Sequence, residues 1–208
     1  MFNFKEQSTI PSFNESGLIP PFLGEDATTI QSPYKTTIQD LVTCFAISAE
    51  RISILIGFLE LRKVLNKCGI NNGFMWVDGS FCENIELIQN RPPNDIDIIA
   101  FLHLPDEYVN NSNELLTNLL DNGLVVLDVD GNPTLADLKE KYHCDFYTQE
   151  LNSPPEMLID RASYWVQLFS HQRKTHQRKG MLQVPILREE NEETLLKILK
   201  TRKESNGE

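Results

Sequence analysis

Two aspartates, Asp95 and Asp97, open an apolar run, Asp-Ile-Asp-Ile-Ile-Ala-Phe-Leu. In a strand, residues i and i+2 share a face, so the two carboxylates project together while Ile96 and Ile98 turn to the core. Carboxylates about 6–7 Å apart along a strand repel unless something positive sits between them. A divalent cation, Mg²⁺ or Mn²⁺, meets that need, and such ions are held by one or two carboxylates together with substrate phosphates. A third carboxylate on a neighbouring strand would complete a two-metal site for in-line phosphoryl displacement, with metals about 3.5–4 Å apart. Asp145, the lone acid of the strand-like His-Cys-Asp-Phe-Tyr-Thr at 143–148, is the preferred candidate. Asp128 and Asp130 are the alternatives, although Asp-Val-Asp-Gly reads as a turn.

Upstream stands Val77-Asp78-Gly79-Ser80, with fourteen residues between Ser80 and Asp95. Glycine lets backbone approach a phosphate, and the Ser80 hydroxyl with neighbouring amides can donate to β- and γ-phosphate oxygens. An acidic pair at i, i+2 by itself often marks a solvated strand edge. Here the apolar residues that follow place the pair at the mouth of the core, and strand–Gly–Ser precedes it.

Residues 171–180, His-Gln-Arg-Lys-Thr-His-Gln-Arg-Lys-Gly, are a further candidate. Lys174 and Lys179 would hold triphosphate or an RNA end, the alternative being a solvated basic helix end. Arg91, beside the acidic pair, is a candidate phosphate contact. Glu83 and Glu86 read as surface residues, His103 and His143 as strand-end packing residues, and Trp76 and Trp165 as core.

The elements that must position these groups follow from periodicity and punctuation. Residues 1–35 hold four prolines and little periodicity, and read as an extended arm over the body. A helix starts at Ile38 behind a threonine cap, and a longer one starts after Ser48 and ends at Gly69. Apolar on more than one face, the longer helix belongs in the core. Strands are expected at 73–78, 95–102, 124–129, 143–148 and 181–187. Helices are expected at 113–120, 133–142, 154–172 and 192–201, with a short helical or turn segment at 81–89. The fold class is α+β, a small mixed sheet flanked by helices. The domain reading is an arm at 1–35, a catalytic-type domain at 36–188 and a charged C-terminal helix or tail at 189–208.

Composition bounds the function. The chain has 208 residues, 40% hydrophobic, and a net charge of −11. That charge argues against binding long duplex nucleic acid. Residues 161–180 are the exception, with five bases and no acid. The four cysteines are scattered without metal-ligand spacing and read as thiols of a reducing cytosol. Residues 1–7 are not followed by a signal-type apolar segment, and the apolar run 52–59 is too short to cross a bilayer. A soluble cytoplasmic protein is expected.

The combination VDGS…DIDIIAF…CDF, over residues 74–148, resembles the polymerase-β-type nucleotidyltransferase superfamily. A closer resemblance, carried by WVDGSFCENIE, RPPNDIDIIAF and RKGMLQVPI between about Pro20 and Leu187, is to an uncharacterised bacterial family of nucleotidyltransferase-like proteins. It implies the nucleotidyltransferase fold, with Gly79 and Ser80 as the phosphate loop, Asp95 and Asp97 as the metal pair and Asp145 as the third acid. The activity implied is Mg²⁺-dependent transfer of a nucleoside monophosphate from a nucleoside triphosphate such as ATP. The acceptor would be a hydroxyl of a protein, an RNA end or a small molecule. Such proteins often sit in bacterial toxin–antitoxin or antiviral defence pairs, so a partner protein encoded nearby is a further expectation. The rival readings are a non-catalytic, antitoxin-like binding module and a nucleotide sensor.

Overall fold

The computed structural model describes residues 9–24, 30–109 and 111–205, and parts of the expected arm (1–8 and 25–29), with the segment judged for a targeting signal, lie outside the described residues. The elements in chain order are β1 (Tyr34–Lys35), α1 (Ile38–Phe45), α2 (Ala49–Lys67), β2 (Asn72–Asp78), a 3-10 turn (Ser80–Cys82) and α3 (Ile85–Gln89). Then come β3 (Ile96–His103), α4 (Asp106–Val109), α5 (Ser112–Asp121), β4 (Val125–Leu127), β5 (Pro133–Leu135) and α6 (Leu138–Tyr142). The chain closes with β6 (Cys144–Glu150), α7 (Pro155–Phe169), β7 (Leu182–Pro185) and α8 (Glu192–Ser205). The result is a mixed α+β architecture.

Five strands form one sheet in the order β1-β7-β2-β3-β6. Its centre is antiparallel, β7 with β2 and β2 with β3, and its flanks are parallel, β1 with β7 and β3 with β6. Alternation along β3 sorts the faces. Ile96, Ile98, Ala100 and Leu102 join the main core, and Ile99 and Phe101 join a second cluster with Trp165 and Phe169 of α7. The acids Asp95 and Asp97 share the parity of Ile99 and so belong to the α7 side.

Helix α2 lies in the main core, with Leu55, Phe58, Leu59 and Leu61 enclosed. The Ser48 hydroxyl caps it by accepting from the Arg51 amide at 3.2 Å. Gly57 is required for space, because a Cβ there would lie 2.0 Å from the carbonyl oxygen of Tyr142. That contact docks the end of α6, and hence the start of β6, onto α2. The ends of the chain share this core. Ile10 and Ile19 from the arm and Leu195, Leu196 and Leu199 from α8 are buried in it, and β1 extends the sheet.

Two expectations about elements need correction. Residues 133–142 are not one helix. Pro133–Leu135 pairs with Val125–Leu127 as a hairpin. The Asp128 carboxylate closes the intervening turn by accepting from the amides of Asp130 (2.9 Å) and Asn132 (2.8 Å). The helix begins only after Asp137, whose carboxylate accepts from the Glu140 amide at 2.8 Å. Likewise α7 stops at Phe169, and residues 171–178 form a turn bridged from His171 to Arg178 instead of a helix end. Among the described residues no helix is long and apolar enough to cross a membrane.

Candidate functional site

The sheet brings acids from three strands into one row. Asp78 at the end of β2 pairs in register with Asp97 on β3, and Asp97 pairs in register with Asp145 on β6. In-register neighbours point to the same face, so the three carboxylates stand side by side, with Asp95 one residue ahead of β3. They line a cleft of about 310 Å³ together with Gly79, Ser80, Arg91, Lys139, Lys174 and Lys179. Every residue expected at the site from the sequence therefore borders one cavity. Asp128 and Asp130, the alternative third ligands, lie in the β4–β5 turn and are not among its walls.

Crowding acids is costly, and the structure shows how the cost is met. Burial raises the Asp97 carboxyl to about 6, with the charges of Asp95 and Asp145 adding to the shift. The charges of Arg173 and Lys179 offset part of that shift at Asp97, and Lys139 of α6 compensates Asp95 and Asp145. Its ammonium is ion-paired to Asp95 and stands 3.8 Å from Asp145, and these carboxylates, Asp95 first, raise its own pKa. Burial and a hydrogen bond with Asp145 raise the Tyr147 phenol.

Gly79 is fixed by geometry on two counts. Its backbone, at φ 82° and ψ −166°, is in a region open essentially to glycine alone. A Cβ would also lie 2.1 Å from the nearer Asp97 carboxylate oxygen. The loop must run against the acid, and no side chain fits between them. Across the cleft, Gln89 gathers two cations on the rim. Its side-chain oxygen accepts from Arg91 at 3.0 Å and Lys174 at 3.3 Å.

Residues 11–185 match the sequence model of DUF6932, described as a family of unknown function. The chain belongs to DUF6932. No curated protein and no solved structure matches it. The matched span of this DUF6932 chain contains the whole acidic row, the Gly79-Ser80 loop and Lys179.

Two readings of individual residues change. Lys179 is buried, with 2% of its surface exposed. Its Nζ donates to Asp78 Oδ2 at 3.0 Å, Glu83 Oε1 at 2.8 Å and the Gly79 carbonyl at 3.0 Å. An ammonium has three donors, so Lys179 anchors the loop and has none left for a phosphate. Burial pulls its pKa down, yet Asp78 and Glu83 outweigh that and hold it above the ordinary lysine value. Glu83 is correspondingly an interior residue, 5% exposed, and not a surface one. Glu86 is half-buried and paired with Arg51 at 2.6 Å.

Sequence reasoning missed Asp78 and Lys139. Asp78 is 2% exposed, and burial raises its carboxyl to about 7 even though Lys179 draws it down. One ammonium shared by two interior acids leaves one of them incompletely neutralised, and Asp78 Oδ1 has no hydrogen-bond partner. The signal for Lys139 was its place on a short helix just ahead of Asp145.

Whether these residues fit a divalent cation can be judged from the donor set. Asp95, Asp97 and Asp145 offer only oxygens, the chemistry that Mg²⁺ and Mn²⁺ prefer, and two of them, Asp95 and Asp145, already hold a cation, the Lys139 ammonium. Among the described residues no three His, Cys, Asp or Glu side chains converge at ligand spacing. Loading therefore requires Lys139 to move aside and the carboxylates to close in.

Proposed function

We propose that this DUF6932 chain is a metal-dependent nucleotidyltransferase of the polymerase-β type. The observation that supports it best is the Asp97–Asp145 register beside Gly79-Ser80, with Asp95 on the same face. Asp95, Asp97 and Asp145 would hold Mg²⁺ or Mn²⁺, which when bound neutralises phosphate charge and lowers the pKa of an acceptor hydroxyl. Gly79 and Ser80 seat the triphosphate, and Arg91 and Lys174 on the rim bind its outer oxygens. The acceptor oxygen forms a bond to the α-phosphorus as the α–β bridging bond breaks. Pyrophosphate leaves, and the acceptor proton passes to Asp145.

The −11 net charge favours a protein or small-molecule acceptor, and the basic rim keeps an RNA end in play. One observation favours a second reading, a nucleotide-binding or partner-binding module without transfer: Lys139 is ion-paired with Asp95 and Asp145, two of the three acids, without any metal.

The deciding experiment incubates the protein with each α-labelled nucleoside triphosphate and Mg²⁺ or Mn²⁺ in lysate of the source cells. The Asp95→Ala/Asp97→Ala variant runs in parallel. Label on protein, RNA or a small molecule only with the wild type is the expected result. Equal nucleotide binding by both proteins with no transfer removes the enzyme reading.

A further inference from the structure

Two buried cations from distant parts of the chain converge on the loop that follows β2. Lys179 takes the Gly79 carbonyl, as described above. Arg51 of α2 is fully enclosed and takes two further carbonyls, with Nη1 donating to Phe81 at 2.7 Å and Nη2 to Glu83 at 2.6 Å. Its Nε and Nη2 also donate to Glu86, at 2.6 and 2.9 Å. The guanidinium lies near the Phe45 and Phe81 rings, 5.7 and 5.4 Å from their centroids.

The direction of these bonds matters for an anion. A carbonyl oxygen turned toward the cleft would repel a triphosphate, whereas one drawn onto an interior cation is removed from it. Three carbonyls of the segment 79–83 are drawn inward in this way, while the Ser80 side chain stays at the cleft wall. Asp78, which lines the cleft beside Gly79, has one carboxylate oxygen, Oδ1, that is enclosed and without a hydrogen-bond partner. Most buried polar atoms are hydrogen-bonded, so an orphaned interior carboxylate oxygen calls for an explanation.

We infer that Lys179 and Arg51 are positioning residues for the Gly79-Ser80 loop, holding its carbonyls away from the cleft so that the loop receives a triphosphate. This rests on the nucleotidyltransferase reading, and it separates two functions within the site. The Asp95–Asp97–Asp145 group serves the metal, and the Lys179–Arg51 pair serves the phosphates without touching them.

The test measures two affinities on each protein, for Mn²⁺ alone and for a non-hydrolysable triphosphate analogue with Mn²⁺ saturating. Lys179→Met alone would strand two interior acids, so Lys179→Met/Glu83→Gln is used, which removes one charge of each sign. Arg51→Met is the second variant, because Arg51 does not line the cleft and Glu86 can turn to solvent. In both, analogue affinity is expected to fall about tenfold or more, as for a misplaced binding group, with Mn²⁺ affinity little changed. Analogue affinity equal to wild type in either folded variant overturns the inference. So does a parallel loss of both affinities, which marks a general structural role. Failure of the unaltered protein to bind Mn²⁺ or the analogue removes the nucleotidyltransferase reading and the inference with it.

Discussion

Arg62 and Lys179 are buried cations at the two ends of β7, and their surroundings differ. Arg62 gives two hydrogen bonds to Glu192, at 3.1 and 2.6 Å, and others to the carbonyls of Pro185 and Leu187 and the sulfur of Met75. All five guanidinium donors are used, and Glu192 also accepts from the Glu189 amide at 2.8 Å. Lys179 is equally buried, yet it shares one charge between two acids and leaves Asp78 Oδ1 unsatisfied at a cleft wall. The first network fastens α8 and the end of β7 to α2 and has nothing left to offer. The second is incomplete, with an interior acid short of a partner in a residue that lines the cleft.

The strongest way to break this contrast is Arg62→Met. It leaves interior Glu192 with Arg188, 3.4 Å away, as its remaining cation and strips the Pro185 and Leu187 carbonyls of their donor, so urea unfolding should show a loss of about 3 kcal/mol. Triphosphate affinity of the protein that remains folded should be unaltered. A stability loss below about 1 kcal/mol would show that the Arg62 network is not a fastening. Gly79→Ala comes next. The φ of 82° and the contact with Asp97 predict a cost of about 1–3 kcal/mol. Because Asp97 must shift, Mn²⁺ binding followed by electron paramagnetic resonance should also disappear, whereas Arg62→Met should leave it in place.

Proton linkage sharpens the comparison further. Asp78 and Asp97 hold their protons up to about 7 and about 6 in the folded chain, above the ordinary aspartate value near 4. The folded state binds protons that the unfolded state has released. The stability these two groups contribute is thus complete below about pH 4 and is lost as pH rises through 6 and 7. Denaturation midpoints measured in chelator should fall across that window. Asp78→Asn should flatten the upper part, and Mn²⁺ should restore stability at pH 7 by binding the folded state. The smallest effect belongs to Lys139→Met. Its side chain is 56% exposed, so stability should change by no more than about 1 kcal/mol. Calorimetric titration should then show tighter Mn²⁺ binding, since the competing ammonium is gone.

The two regions were unequally legible in the sequence. Asp95, Asp97 and Asp145 could be read because an acid in an apolar strand violates a local period, and a period of two assigns its face. The long helix α2 and its Ser48 cap were likewise local. What escaped depends on residues far away. Asp78 looks like a strand end, and Glu83 like a surface acid, until Lys179 arrives from about a hundred residues later. Lys139 sits on an exposed helix whose charges read as solvated. Pro133 suited a helix start, but the Asp128 turn had already committed it to a hairpin. The true start signal was Asp137 with Glu140 three residues on.

The bonds from Lys179 to Gly79 and Glu83 close segments of 100 and 96 residues. Chains emerge from the ribosome amino end first. A nascent chain ending near residue 170 therefore carries Asp78, Gly79 and Glu83, but not the ammonium that joins them. Synthesis order acts as a catch: the loop is made early and is fastened only when Lys179, just ahead of β7, has followed.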